Sequence, residues 1–261
     1  MQRQFLAGVA LVAVTAGSAF AADLGMPVKA AAPAALYDWG GTYIGGVVGG
    51  AWGTNDISDP GLGVIGTALG VPVIQSTNPS AFVGGVEGGS RYQFAKLVVG
   101  WEADITWGNL NGTNTTSFTS PVIGGGIAPI TRSITTDTKW VATATSTVGI
   151  AHNNWLLYGK AGVAYENVNY TDNWAGGGVA LFSGTGSNSR TGWTVGTGVE
   201  WAFNQSWSVK AEYDYLDFGT KNIPLSGTLA GGTGFAPGIQ DSNHINQFKA
   251  GLNYRFLSNL W

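Results

Sequence analysis

From Leu97 to Trp107 every odd position is apolar: Leu97, Val99, Trp101, Ala103, Ile105 and Trp107. The even positions include Gly100, Glu102, Asp104 and Thr106. Successive side chains of a strand point to opposite faces. This segment therefore has one apolar wall and one wall with two acids. A soluble protein buries the apolar wall and wets the charged one. A membrane barrel turns the apolar wall to lipid and encloses the charges.

Alternation recurs in about eight segments, approximately 41–52, 80–94, 97–108, 137–151, 155–170, 190–203, 207–218 and 244–256. The gaps 95–96, 152–154 and 204–206 are tight, whereas 53–79, 109–136, 171–189 and 219–243 are long. Short turns on one side and long loops on the other fit a barrel with periplasmic turns and external loops. A soluble sandwich has no reason to keep its long connections together. The pattern predicts an all-β fold, a transmembrane antiparallel up-and-down β-barrel of about eight strands. The apolar, glycine-rich stretches 62–74 and 225–235 are expected to extend neighbouring strands, with a ten-stranded barrel as the alternative.

Parity sorts the side chains. The outward set includes Ile44, Val48, Phe82, Val86, Trp140, Val148, Val163, Trp193, Trp201, Tyr213, Phe248 and Leu252. Aromatic residues gather near segment ends, as interfacial girdles require. The inward set holds the acids Glu87, Glu102, Asp104, Glu166, Glu200, Glu212 and Asp214, and the bases Arg91, Lys139, Lys160, Lys210, Lys249 and Arg255. A lysine or arginine on the lipid face at mid-bilayer costs about 2–4 kcal/mol, so enclosure is favoured. Eight strands leave an interior just wide enough for side chains to fill. The charges then read as a salt-bridge network that plugs the lumen. A polar conduit for small solutes, a narrow porin, is the second reading.

Charged residues are only 10 % of the chain, against about 25 % in soluble proteins. There are 42 glycines, 12 % aromatics and no cysteine. With a net charge of −3 the chain does not read as a nucleic-acid binder. The N-terminus reads as a secretory signal peptide over residues 1–21: Arg3, an apolar core from Phe5 to Val14, and Ala19-Phe20-Ala21 for cleavage. Residues 22–38, rich in alanine and proline, read as a periplasmic linker. The barrel is expected over 39–261.

Catalytic and metal chemistry is sparse, and the chain reads as a non-enzyme without a cofactor. His152 falls in an expected turn. His244, near the outer rim after Asp241, Ser242 and Asn243, is a candidate ligand-binding residue, because histidine is the usual axial haem ligand. The Asn/Thr run 109–119 reads as a solvated loop. Gly176-Gly177-Gly178 lacks the lysine of a phosphate loop.

Tyr37 to Trp52 resembles the first strand of small alphaproteobacterial outer-membrane β-barrel proteins. That family includes the RopB-type proteins of rhizobia and the major immunogenic outer-membrane proteins of Brucella, OmpA-like eight-stranded barrels. Trp155 to Tyr165 and Gly192 to Tyr215 resemble its central strands, and Gly251-Leu252-Asn253-Tyr254-Arg255-Phe256 its final strand. The resemblance spans essentially the mature chain. It implies a monomer or loose oligomer in the outer membrane of a Gram-negative bacterium. Its partners would be lipid, lipopolysaccharide, the barrel-assembly machinery and periplasmic chaperones. It also implies roles in envelope integrity and surface antigenicity, with porin-like or haemin-binding roles as alternatives. Two features depart from the family. Thr145 and Thr147 stand where the fourth strand commonly carries two arginines. Phe256, the expected terminal assembly signal, is followed by five residues ending in Trp261, a second candidate for that signal.

Overall fold

The structure, a computed structural model, describes residues 37–59, 74–122, 126–232, 234–235 and 238–256. The expected signal peptide, most of the linker, Trp261 and nearly all of the stretch 62–74 lie outside the described residues.

Eight long strands form the wall: β1 (Gly41–Ser58), β3 (Ser80–Phe94), β4 (Leu97–Val122), β5 (Gly126–His152), β6 (Trp155–Gly176), β7 (Val179–Ala202), β8 (Trp207–Pro224) and β11 (Gly238–Arg255). Each pairs antiparallel with the next, and β11 closes the ring on β1, with Tyr43 opposite Arg255 and Ser58 opposite Gln240. Closure removes the open edges that a membrane would not tolerate. Three accessory pieces sit above the ring. β2 (Ile74–Thr77) pairs with the top of β1, β9 (Ser226–Leu229) with the top of β7, and β10 (Gly234–Phe235) with β9. The described part of 225–235 thus forms short added strands rather than a ninth and tenth wall strand.

The tight turns have local causes. Ala95 and Asn153 adopt positive φ between β3–β4 and β5–β6. Asn204 Oδ1 accepts from Ser206 N at 2.8 Å and Trp207 N at 2.9 Å, an Asx turn between β7 and β8. At the opposite end Gly177 and Gly178 both have positive φ, the requirement of a two-residue hairpin turn whose twist matches its strands.

That last hairpin corrects an expectation. Residues 109–122, 126–136, 171–176 and 179–189 are not loops but continuations of β4, β5, β6 and β7. β4 has 26 residues and β5 has 27, where a membrane needs about 9–11. Outside the membrane the outward wall is wet, so its signature is polar. Thr113–Thr135 at 3.0 Å, Thr115–Ser133 at 3.3 Å and Ser117–Thr131 at 3.2 Å form a hydroxyl ladder across β4 and β5. Without an apolar alternation, these strands carry no amphipathic signal in the sequence.

Below the ladder, the outward face is apolar and ends in two aromatic girdles. At the upper rim Trp140 lies 5.6 Å from Tyr165, and Trp193 lies 5.5 Å from Tyr215. Near the tight turns Trp155 lies 6.1 Å from Trp201, and Trp207 lies 5.0 Å from Tyr254. The stretch 193–201 on β7 bridges them, a length suited to one bilayer crossing. Trp101 and Trp201 both face outward.

Candidate functional site

The interior of the ring is a stack of layers set by strand parity. At the mouth beside the tight turns Tyr37, Trp39, Val98, Leu156 and Tyr158 form an apolar cluster. Trp39 N donates to Gln93 Oε1 at 2.7 Å, which folds the incoming chain across the opening. The Arg255 guanidinium lies 4.4 Å from the Tyr37 ring centre and donates to Gln205 O at 2.7 Å. Arg255 is therefore a fastener of the mouth held by backbone carbonyls. Burial raises the Tyr37 hydroxyl above its usual pKa, against the opposing pull of Arg255.

Above it lies the main ionic layer. Six carboxylates (Glu87, Glu102, Asp104, Glu200, Glu212, Asp214) face four cations (Arg91, Lys160, Lys210, Lys249), all buried. Lys210 Nζ lies 2.6 Å from Glu87, 3.0 Å from Glu212 and 3.1 Å from Glu102. Lys160 Nζ lies 2.6 Å from Glu212, 3.0 Å from Glu102 and 3.4 Å from Asp214. Lys249 Nζ lies 2.8 Å from Asp214 and 3.1 Å from both Asp104 and Glu212. Arg91 sits 2.8 Å from Glu200 and 4.2 Å from the Tyr43 ring centre. Tyr43 Oη and Tyr158 Oη donate to Glu102 and Glu212, each at 2.6 Å. Thr143 donates to Asp104, and Ser208 to Glu200. Glycines keep the strands close here: a Cβ on Gly49 would lie 2.0 Å from Phe248 O, and one on Gly162 2.1 Å from Ala144 O.

An apolar layer follows, with Ala51, Val83, Leu110, Val141, Leu216, Phe218 and Ile245. Above it Glu166 meets Arg190, its direct partner across β6 and β7, at 3.0 Å. Arg190 also reaches Asp241 at 2.6 Å, and Tyr170 Oη donates to Asp241 at 2.6 Å. A second apolar layer of Ile57, Ile134, Val168, Ile223, Leu225 and Ile239 covers this cluster. Toward the tip, Arg132 bridges Asp59 at 2.7 Å and Asp172 at 2.6 Å, with Trp174 4.9 Å away. Burial raises the Asp59 carboxyl above its usual pKa, although Arg132 pulls it back down.

Two expected site residues stand outside these layers, and of the two only Lys139 was expected inside them. Lys139 is outside the barrel, with its side chain 66 % exposed and 3.9 Å from Asp137. The β5 pairing shifts register between Thr138 and Val141, so Lys139 and Trp140 both point outward and the inward parity changes across them. Simple alternation across that bulge misassigns Lys139. His244 is half-buried on the outward face of β11. Its ring lies 6.4 Å from that of Tyr215, and Asp217 and Thr54 are its strand partners. Phe256 lies exposed at the tight-turn end beside Tyr254 at 5.3 Å.

Arg132, Asp59, Asp172, Arg190 and Asp241 are buried ionic residues that the sequence reading missed. Arg190 shares its parity with Glu200 on the same strand, so extending the alternation would have found it. Among the described residues no group of three or more His, Cys, Asp or Glu is placed to hold a metal ion.

Residues 8–256 match the family profile described as outer membrane protein beta-barrel domain. The chain is 28 % identical over 267 residues to the 31 kDa outer-membrane immunogenic protein of Brucella melitensis, covering 98 % of this chain and 100 % of that protein. It is 28 % identical over 233 residues to the 22 kDa outer membrane protein of Rhizobium leguminosarum bv. viciae, covering 88 % of this chain and 82 % of that one. Among solved structures, the outer membrane protease OmpT of Escherichia coli aligns with a TM-score of 0.49 at 9 % identity, over 83 % of this chain and 97 % of that one.

Proposed function

This chain belongs to the outer membrane protein beta-barrel family and resides in the outer membrane; from that premise we propose that it is a closed structural barrel that braces the envelope and holds its long external strands in the medium. The supporting observation is the packed ionic layer. Lys160, Lys210 and Lys249 have no solvent-exposed side-chain surface, and each touches at least three carboxylates, at least two of them from other strands. Aromatic residues close the layer from below and aliphatic ones from above. A water-filled pore needs a continuous wet path, and these layers interrupt it.

The external part carries the display role. Its outer surface is a ladder of hydroxyls and amides, and its interior is cross-braced by Arg132 and Arg190. Its surroundings would be lipid and lipopolysaccharide along the apolar belt. Periplasmic chaperones would deliver the chain to the barrel-assembly machinery, with the final-strand aromatic Phe256 as the signal read there and Trp261 as the alternative.

Deleting the gene tests this reading. The expected result is faster entry of a hydrophobic dye and greater detergent sensitivity, both restored by the wild-type gene. Slower uptake of small hydrophilic solutes with an otherwise intact envelope would support the porin reading instead.

A further inference from the structure

One interior layer carries a surplus of oxygen atoms without partners. On β11, Asp241 and Asn243 lie between the apolar Ile239 and Ile245, and all four are buried. Asn55 of β1 is the register partner of Asn243, and Ile57 that of Asp241. On the other side of β1, Gln75 of β2 stands opposite Ile57. Glu166 reaches in from β6 and accepts from Asn243 Nδ2 at 2.6 Å.

Gln75 is 4 % exposed and Asn55 2 %. Neither amide atom of Gln75 has a hydrogen-bond partner, nor do Asn55 Oδ1, Asn243 Oδ1, Asp241 Oδ1 and Glu166 Oε2. Buried polar groups are normally satisfied, and each exception asks for a cause. Five of these six atoms are oxygens that can only accept. The charges point the same way: two carboxylates face one guanidinium. Arg190 engages Glu166 Oε1 and Asp241 Oδ2, leaving the other oxygen of each carboxylate free. A water molecule brings its own acceptor lone pairs and no charge. A cation answers an excess of acceptors and an excess of negative charge together.

We propose that this layer binds a hard, oxygen-seeking cation of the Ca2+ class through Asn55, Gln75, Glu166, Asp241 and Asn243. Carboxylate and amide carbonyl oxygens are the ligands that such ions take, about 6–8 of them for Ca2+. The donor set has two carboxylates and relies on amide oxygens for the rest. The ion would tie β1, β2, β6 and β11 together above the outer girdle. With apolar layers on both sides it enters during folding and leaves slowly.

The test refolds the full chain in detergent with millimolar CaCl2 or with EDTA, removes free ions by desalting, and measures retained metal and the temperature of unfolding. Wild type is expected to retain about one Ca2+ per chain and to unfold at a higher temperature than the EDTA sample. Terbium is the optical probe, sensitised through Tyr170, whose hydroxyl is bonded to Asp241. The variant Asn55→Leu/Gln75→Leu deletes the free amides. It is expected to retain at least tenfold less Ca2+. If those amides are only unsatisfied groups, the same variant becomes more stable and its metal content does not change, which overturns the proposal. Wild type that desalts free of metal overturns it as well. Should the double variant fail to fold, Asn55→Asp keeps an oxygen and adds charge, so it should load at lower free Ca2+. Loading that is unchanged or weaker contradicts the site.

Discussion

Lys210 Nζ on β8 lies 2.6 Å from Glu87 Oε2 on β3, and these two strands are not neighbours in the ring. The contact therefore spans the lumen. Gly251 leaves room for the lysine stem, since a Cβ there would lie 3.1 Å from Lys210 Cγ. The same ammonium holds Glu102 and Glu212, so one side chain joins three parts of the wall.

Removing that ammonium leaves several carboxylates facing one another without water. Breaking one partner of a buried ion pair costs about 3–5 kcal/mol. Lys210→Met is expected to lower stability by about that amount, measured by urea unfolding in lipid vesicles. Adding Glu87→Gln should recover part of the loss, because contacting residues are not additive.

Lys139 supplies the contrast. Its side chain stands outside the barrel at the upper rim, where surface substitutions stay within about 0.5 kcal/mol. Lys139→Met should leave the unfolding midpoint where it is. A loss comparable to that of Lys210→Met would return Lys139 to the interior.

The lipid boundary can be read with one charge at two heights. Ala161 faces outward on β6, opposite Ser146 and Val195, between the two girdles. Ala161→Arg should cost about 2–4 kcal/mol, the usual penalty at the bilayer midplane. Thr185 faces outward on β7 but above the upper girdle, and Thr185→Arg should be close to neutral in the same unfolding assay. Equal costs at the two positions would argue against a lipid belt ending at the aromatic rim.

Orientation is accessible because the chain has no cysteine of its own. Thr115→Cys, in the hydroxyl ladder, is expected to react with a membrane-impermeant maleimide on intact cells. Ala95→Cys, in the β3–β4 turn, should react only after the outer membrane is permeabilised. The reverse labelling pattern would invert the barrel.

Much of this arrangement was legible before the structure, for a physical reason. Where lipid is the solvent, alternation is enforced on both faces, and the stretch from Leu97 to Trp107 shows it in full: Glu102 and Asp104 are buried while Trp101 and Trp107 are exposed. Where water is the solvent the rule relaxes. Arg132 and Asp172 lie on strands whose outer faces are threonine, serine and asparagine, and such runs look like loops. Lys139 was lost to the register step in β5, since period-two reasoning has no means of counting a bulge. Asp241 sits on the part of β11 above His244, beyond the apolar signal that marked the strand. The mouth was illegible for another reason: Trp39 precedes β1, and nothing in its sequence says that the chain folds back to meet Gln93.

The most direct measurement of the central claim is electrical. Purified, refolded barrel placed in a planar lipid bilayer is expected to give no defined single-channel steps, because the Lys160, Lys210 and Lys249 layer and the Trp39 mouth leave no continuous water path. Regular, voltage-stable conductance steps from the wild-type protein would show that ions pass through the lumen and would contradict a sealed structural barrel.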